Sequence, residues 1–297
     1  NLALREAAIP CYYLHWVHSA PSPRANLDNN LHANRYTLPP RSKMVYLNND
    51  KTIALAEMYG TYPRYVRVVH NSRDPRTFWD LDPFVSNLID KYDLLSADII
   101  SVYPVSSTRM VDGKQIDVVI RIHEALSKLG LKTRLILPNA HANAEREKQL
   151  CRERATNDVI FTSLENPEFE GGVSSKIVSD LFRLSNVFIF PSISENCSLI
   201  LLEAMLAGNL IVLNKDCSGF QEFGGKNALY FKMGNLDMGT RNAENALEKE
   251  EYITDIAKII KSEWEISKPL QAKRRILQEF NYDAIFDKIE SLYYEFN

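Results

Sequence analysis

Short apolar runs rich in Val, Ile and Tyr alternate along the chain with helix-length amphipathic stretches. Parallel strands joined by crossover helices leave that pattern. It predicts strands at Cys11–His15, Met44–Leu47, Tyr65–Val69, Ile99–Tyr103, Thr133–Leu137, Val159–Thr162, Val187–Phe190, Leu210–Leu213 and Ala228–Phe231. The clearest helix is Lys114–Leu129. There Ile116, Val119, Ile120, His123, Leu126 and Ser127 or Leu129 recur at three-to-four spacing, and Gly130 stands where a C-terminal cap belongs. A βαβ unit from Ile99 to Leu137 follows. A further helix is expected at Asn1–Ala7. From Thr240 onward the strands stop and the chain reads as helices over Ala243–Trp264, Pro269–Phe280 and Tyr282–Glu295.

Turn formers cluster in Asn71-Ser72-Arg73-Asp74-Pro75 and again in Asp80-Leu81-Asp82-Pro83, which marks a boundary between two α/β domains. The expected division is residues 1–75, a linker over 76–96, a second domain over 97–268, and helices over 269–297 that cross back toward the first domain. A length of 297 residues agrees with two domains, and 45% apolar with 25% charged residues suits a globular core.

Charge and cysteine usage narrow the function classes. A net charge of -3 and a pI near 6.1 give no global basic field, so nucleic acid is not the expected partner. Cys11, Cys151, Cys197 and Cys217 lie far apart with no metal-ligand spacing, and read as reduced thiols of a cytosolic protein. No apolar run approaches the roughly 18–20 residues of a membrane span, and no charged-then-apolar leader opens the chain. Because the chain begins at Asn1 inside a helical pattern, there is room for a natural start further upstream.

Candidate chemistry concentrates in residues 187–208, V-F-I-F-P-S-I-S-E-N-C-S-L-I-L-L-E-A-M-L-A-G. This is a buried strand, a polar turn, then a helix apolar on nearly every side and closed by Gly208. Parallel sheets bind ligands at the carboxyl ends of their strands, and a helix starting there offers free N–H groups to phosphate or sugar oxygens. Glu203 sits among Leu199, Ile200, Leu201, Leu202, Met205 and Leu206, so it is expected to be buried and to need a cation, donors or a ligand's hydroxyls. The bland alternative is a structural Glu touching an Arg at the helix edge. Glu195, alone in a Ser-rich turn, reads as solvated.

E-N-C-S-L-I-L-L-E nevertheless resembles the paired-glutamate signature of retaining glycosyltransferases with the GT-B fold, especially glycosyltransferase family 4. F-P-S before it, E-A-M-L-A-G, L-I-V-L-N, S-G-F-Q-E-F and A-L-Y-F after it follow in the family's order. The resemblance implies an α/β fold of GT-B type. Two Rossmann-like domains would have parallel sheets facing a cleft, with the acceptor-side, amino-terminal one incomplete and the donor-side one spanning 97–268.

Residue by residue, the resemblance gives Glu203 the ribose hydroxyls of a sugar nucleotide and Glu195 the donor sugar ring. Backbone N–H groups of Asn196, Cys197, Ser198 and Leu199 would meet the sugar and diphosphate. This sequence departs from the commoner E-G-F-G-L by replacing both glycines, so Asn196 and Ser198 must take that backbone shape without glycine's freedom. Arg109 and Lys114, in V-S-S-T-R-M-V-D-G-K, stand where the family places cations against the diphosphate, where charge grows as the glycosidic bond breaks. Taken alone, Arg109 reads as solvated and Lys114 as a helix opener. His15, preferred over His18, corresponds to a histidine facing the transferred sugar. Thr162 and Ser163 lie where the base is held, while His70 and Asn71 read first as turn residues.

The implied reaction moves a hexose from a nucleoside-diphosphate sugar to an acceptor hydroxyl with retention. It needs no metal and no cofactor beyond that co-substrate, because Arg109 and Lys114 supply the counter-charge. No second carboxylate is spaced to act as a covalent nucleophile. The acceptor would be a glycan, a lipid-linked molecule or a small molecule. A cytoplasmic location, with peripheral contact at the cytoplasmic face of a membrane left open, goes with it. The basic run Lys273-Arg274-Arg275 reads as a solvated helix face. The alternatives are a non-catalytic nucleotide-sugar-binding subunit and a sugar-nucleotide epimerase of the same fold. A dehydrogenase fits poorly, since no G-x-G-x-x-G follows a strand.

Overall fold

The computed structural model describes residues 13–17, 42–47, 49, 52, 53, 56, 62–104, 113–138, 149, 158–195, 198–237, 240–242, 247 and 249–295. The chain divides into two compact units, Asn1–Asp74 with Gln278–Asn297, and Pro75–Leu277.

The first unit is built on a parallel sheet of β1 (Tyr13–Val17), β2 (Ser42–Tyr46) and β3 (Val66–Val68), in that spatial order. Met44, Val45 and Tyr46 of the central strand are buried, as the unbroken apolar run Met44–Leu47 predicts.

The second unit opens with α1 (Pro75–Phe78) and α2 (Pro83–Tyr92), in the stretch where a linker was expected. The same turn formers mark a helix start: Asp82 caps α2 by accepting from Phe84 N at 2.8 Å, and Pro83 occupies the first turn. Val85, Leu88 and Ile89 then bury one face of α2. Asp180, fully buried, fixes this start by accepting from Asp82 N at 2.9 Å, and Lys176 (2.6 Å) and Arg183 (3.2 Å) neutralise it.

Two parallel three-stranded ladders follow. One is β4 (Ile99–Val102), β5 (Thr133–Leu137) and β6 (Val159–Phe161). The other is β7 (Val187–Phe190), β8 (Leu210–Asn214) and β9 (Ala228–Phe231). Asn186 joins them. Its N–H donates to Ile100 O (2.9 Å), its side-chain carbonyl accepts from Ile100 N (3.0 Å), and its amide donates to Asp98 O (2.7 Å). β4 and β7 thus stand side by side in the order β6-β5-β4-β7-β8-β9, whose direction reverses between β4 and β7. Such reversals are where doubly wound sheets bind ligands. All nine strands expected from the sequence are present, shifted by at most about two residues, the usual scatter of element ends. The α/β class with parallel sheets holds for both units.

Crossovers are made by α3 (Ile116–Lys128), α4 (Thr162–Glu165), α5 (Ser175–Leu184), α6 (Leu199–Leu206) and α7 (Ser218–Gly224). In α3 the predicted stripe is buried from Ile116 to Leu126, His123 included, whereas Ser127 is exposed and Leu129 half-buried, and Gly130 closes the helix at φ 87°. The expectation that strands stop from Thr240 onward is corrected by β11 (Thr240–Asn242), which forms an antiparallel hairpin with β10 (Asn235–Asp237). Its strands are three residues long and polar, so they carry no apolar alternation to read.

Helix α8 (Glu250–Ile266) packs against α3, with Ile253, Ile256, Ala257, Ile260 and Trp264 buried. In α9 (Lys268–Glu279) the basic run is not the solvated face expected. Lys273 donates to Ser185 O at 2.7 Å beside the Trp79 ring, and burial lowers its pKa to about 8. Arg274 pairs with Asp98 at 2.6 Å and lies over Trp264. Helix α10 (Tyr282–Tyr294) belongs to the first unit, where Ile285 and Leu292 cluster with Val45 and Val69. Next to it, Glu295 pairs with Arg67 and Lys43, whose hydrogen bonds hold its carboxyl below the usual range.

His123 carries the sharpest pH consequence. Burial pushes its pKa down to about 3, and neither ring nitrogen has a hydrogen-bond partner among the described residues. The unfolded chain takes up a proton below about pH 6.5, whereas the native state stays neutral, so stability present above that pH is lost as pH falls toward 3. Urea unfolding of the wild type and His123→Leu at pH 6.5 and pH 5 should show the wild type losing about 2 kcal/mol more than the variant. Equal losses would mean that His123 titrates normally.

Candidate functional site

Strands β4, β7, β8 and β9 end at one edge of the second unit's sheet, and two buried side-chain amides tie their loops together. Gln115 donates from Nε2 to Pro191 O (2.6 Å) and Met233 O (2.8 Å). Asn214, the polar residue closing L-I-V-L-N, donates to Ser192 O (3.1 Å) and Gly234 O (2.5 Å), and accepts from Met233 N (2.9 Å) and Asp216 N (3.1 Å). Both amides are fully buried and Asn214 uses its full hydrogen-bonding capacity. Two further bonds complete the lattice: Asp216 accepts from Gly234 N at 2.9 Å, and Ile193 N donates to Gly113 O at 3.0 Å. Gln115 reaches its carbonyls from a left-handed backbone (φ 50°) just before α3, a conformation costing about 1–2 kcal/mol that persists only where the surroundings fix it.

On this lattice Lys114 and Glu195 form an ion pair, with side chains 18% and 15% exposed. Buried Ser192 lies against both, its Oγ 3.0 Å from Glu195 Oε1 and 3.4 Å from Lys114 Nζ. The Lys114 ammonium also stands 5.5 Å from the Phe190 ring centroid, a cation–π distance. Its carbonyl accepts at 2.6 Å from the Tyr103 hydroxyl, whose pKa burial raises well above the ordinary value, with the Asp117 charge adding to it. Tyr103 therefore stays protonated and donating.

The structure places the other expected residues as follows. Ser198 is buried just before α6, and Leu199, at its first turn, is 69% exposed. Glu203 is exposed, which corrects the expectation of a buried acid in need of a partner. Helix α6 buries only Leu201 and Ala204 and leaves Leu206 88% exposed, so it lies on the surface with one inward strip. Thr162 is buried at the end of β6, its hydroxyl donating to Pro138 O at 2.6 Å, and Ser163 Oγ beside it is buried without a partner among the described residues. His15 lies on β1 of the first unit, opposite Met44. Arg109, Asn196, Cys197 and His18 lie outside the described residues. His70 packs edge-on against Phe280. Cys217 is a free thiol, buried before α7, and burial raises its pKa. Sequence reasoning missed Gln115, Ser192, Asn214 and Asp216. The available signal was a polar residue closing an otherwise apolar run, as in L-I-V-L-N and F-P-S.

The family model for glycosyl transferases group 1 matches residues 103–263, more than half of the 297 residues, and contains this whole lattice. The chain belongs to that family. Among solved structures, this glycosyl transferase is similar to Anabaena HepE in complex with UDP-glucose, with TM-score 0.44 and 17% identity over 95% of this chain and 72% of that one. It is also similar to a glycosyltransferase from Rickettsia africae, with TM-score 0.43 and 17% identity over 99% and 79%. WaaG, a glycosyltransferase involved in lipopolysaccharide biosynthesis, gives TM-score 0.40 and 14% identity over 93% and 80%. No curated protein matches the chain.

The ion pair can be tested without any ligand. Lys114→Met leaves the Glu195 carboxylate mostly buried without its cation, and should cost roughly 2–3 kcal/mol. Glu195→Gln in that background should recover part of the loss, giving a coupling energy of at least about 1 kcal/mol in a urea-unfolding double-mutant cycle. A coupling near zero would show that the two charges do not meet in solution.

Proposed function

We propose that this glycosyl transferase moves a hexose from a nucleoside-diphosphate sugar to an acceptor hydroxyl with retention at the anomeric carbon, in the manner of glycosyltransferase family 4. The observation that carries the reading is the Lys114–Ser192–Glu195 cluster at the reversal between β4 and β7. An ammonium there meets the charge that grows on the diphosphate as the bond to the anomeric carbon breaks, and the lattice beneath it needs no reorganisation. Arg109 supplies the second cation. The diphosphate leaves from the face that the acceptor hydroxyl attacks and accepts the hydroxyl's proton, so the configuration is retained without a covalent intermediate.

Glu195 then addresses the donor sugar and Glu203 the ribose hydroxyls, with backbone N–H groups of residues 196–199 toward the sugar and diphosphate. Thr162 and Ser163 border the base, and His15 serves the transferred sugar. The acceptor is a glycan, a lipid-linked molecule or a small molecule, and the reaction is cytoplasmic. No helix among the described residues is long and apolar enough to cross a membrane.

Thermal-shift measurement against UDP, GDP and ADP and their common sugars tests the donor half, since a ligand at a hundred times its Kd adds about 2.7 kcal/mol. With the diphosphate that binds, Glu203→Ala should raise Kd roughly 10- to 100-fold, the worth of hydrogen bonds to a charged group. An unchanged Kd would remove Glu203 from the ribose. Transfer should persist in EDTA, because cationic side chains stand in for a metal, and abolition reversed by added Mg²⁺ or Mn²⁺ would overturn that part.

A further inference from the structure

Ser192 is placed to do more than end a strand. It is fully buried, and its main chain is pinned on both sides by Asn214 Nδ2 at its carbonyl and by the Ile193 N–H bond to Gly113 O. Its hydroxyl lies 3.0 Å from Glu195 Oε1, 3.3 Å from the carbonyls of Gly113 and Ser194, and 3.4 Å from Lys114 Nζ. A hydroxyl has one proton to give, and the carboxylate is both the nearest acceptor and the charged one. The ammonium faces the lone pairs.

We infer that Ser192 is the positioning residue for Glu195, holding its carboxylate in place when the donor's diphosphate draws the Lys114 ammonium away. The inference rests on the reading of Lys114 as the diphosphate's counter-charge. A diphosphate carries at least two negative charges, so once bound it competes with the single carboxylate of Glu195 for Lys114. Glu195 would then lose its ionic restraint at the moment it must meet the donor sugar. The Ser192 hydrogen bond does not involve the ammonium and survives the exchange. Because it matters only after the diphosphate has bound, its loss falls on turnover and not on nucleotide affinity.

The test compares wild type, Ser192→Ala and Ser192→Thr. Calorimetry with UDP, GDP and ADP measures binding. Turnover of UDP-glucose, UDP-N-acetylglucosamine, GDP-mannose and ADP-glucose, followed as transfer or as hydrolysis by water, separates kcat from KM. Ser192→Ala should bind the diphosphate within about threefold of wild type, keep KM within about threefold and lose kcat by on the order of 10- to 100-fold. Ser192→Thr, which keeps the hydroxyl, should recover most of that loss. A Ser192→Ala kcat within twofold of wild type overturns the inference while leaving the transfer reading intact. So does a Thr variant no better than Ala with both thermally destabilised, which marks a packing role. A wild type that binds none of the diphosphates, or turns over none of the four donors, sinks the transfer reading and this inference with it.

Discussion

Backbone carbonyls at the carboxyl ends of parallel strands must find donors once the loops above them are buried. In the second unit two side-chain amides meet that demand. Gln115 and Asn214 between them bind the carbonyls of Pro191, Ser192, Met233 and Gly234, so the loops after β4, β7, β8 and β9 behave as one body. An unsatisfied buried carbonyl costs about 1–3 kcal/mol, and four left open would consume much of a domain's stability. The strained backbone of Gln115 is a small concession against that sum. Everything with chemical character at this edge hangs from these amides: Lys114 is the neighbour of Gln115, Ser192 is held by Asn214, and Glu195 follows three residues on. Asn186 acts at the other end of the strands, where its amide brings β4 beside β7 and so creates the reversal over which the site sits.

In the Lys114–Ser192–Glu195 cluster the ammonium and the carboxylate meet directly. A carboxylate and an ammonium in contact cancel each other's field at a distance, yet each remains a strong local partner for a group of opposite sign. Two charges about 4 Å apart near a protein surface interact by about 4 kcal/mol, so a diphosphate with more than one charge can outbid Glu195 for Lys114 without leaving that carboxylate stranded, provided another donor stays with it. Phe190 and Tyr103 restrict where Lys114 can go in this exchange. The aromatic face lies beneath the ammonium, and the tyrosine hydroxyl holds the lysine's own carbonyl.

What could be read from the residues follows from how far apart the interacting partners lie in sequence. Strands such as Val187–Phe190 and Ile211–Leu213 within β8 are buried and show as uninterrupted apolar runs, so their places were legible to within a turn of chain. Helix α3 was legible from its stripe and its closing Gly130. Asp82-Pro83 was ambiguous, because a cap with proline behind it looks like a loop until a partner such as Asp180, far along the chain, is known. Gln115 and Asn214 were invisible for the same reason: the carbonyls they bind lie 76 and 118 residues from Gln115 and 22 and 20 residues from Asn214, and every residue has a carbonyl. Lys273 and Arg274 look like a solvated basic run, and only the packing of α9 shows Ser185 O and Asp98 waiting for them. Lys114 and Glu195 were picked out by family resemblance alone, and their direct contact is something only the folded chain shows.

The two glutamates of the motif differ in the opposite sense from the one their neighbours suggest. An acid inside an all-apolar octet looks buried, and one in a Ser-rich turn looks solvated. Yet α6 is a surface helix that leaves Glu203 exposed, while Glu195 is 15% exposed and meets Lys114 and Ser192. An exposed Glu must give up up to about 1.5–2 kcal/mol of rotamer freedom before it can hold a ribose, and that is drawn from the same few kcal/mol its hydrogen bonds provide. Glu195 has already surrendered that freedom to Lys114 and Ser192, so under the proposed function its contact with a donor sugar would cost less side-chain entropy. Within one motif, the second glutamate is therefore the one whose contribution depends on what the ligand brings, and the first is the one whose geometry the protein itself enforces.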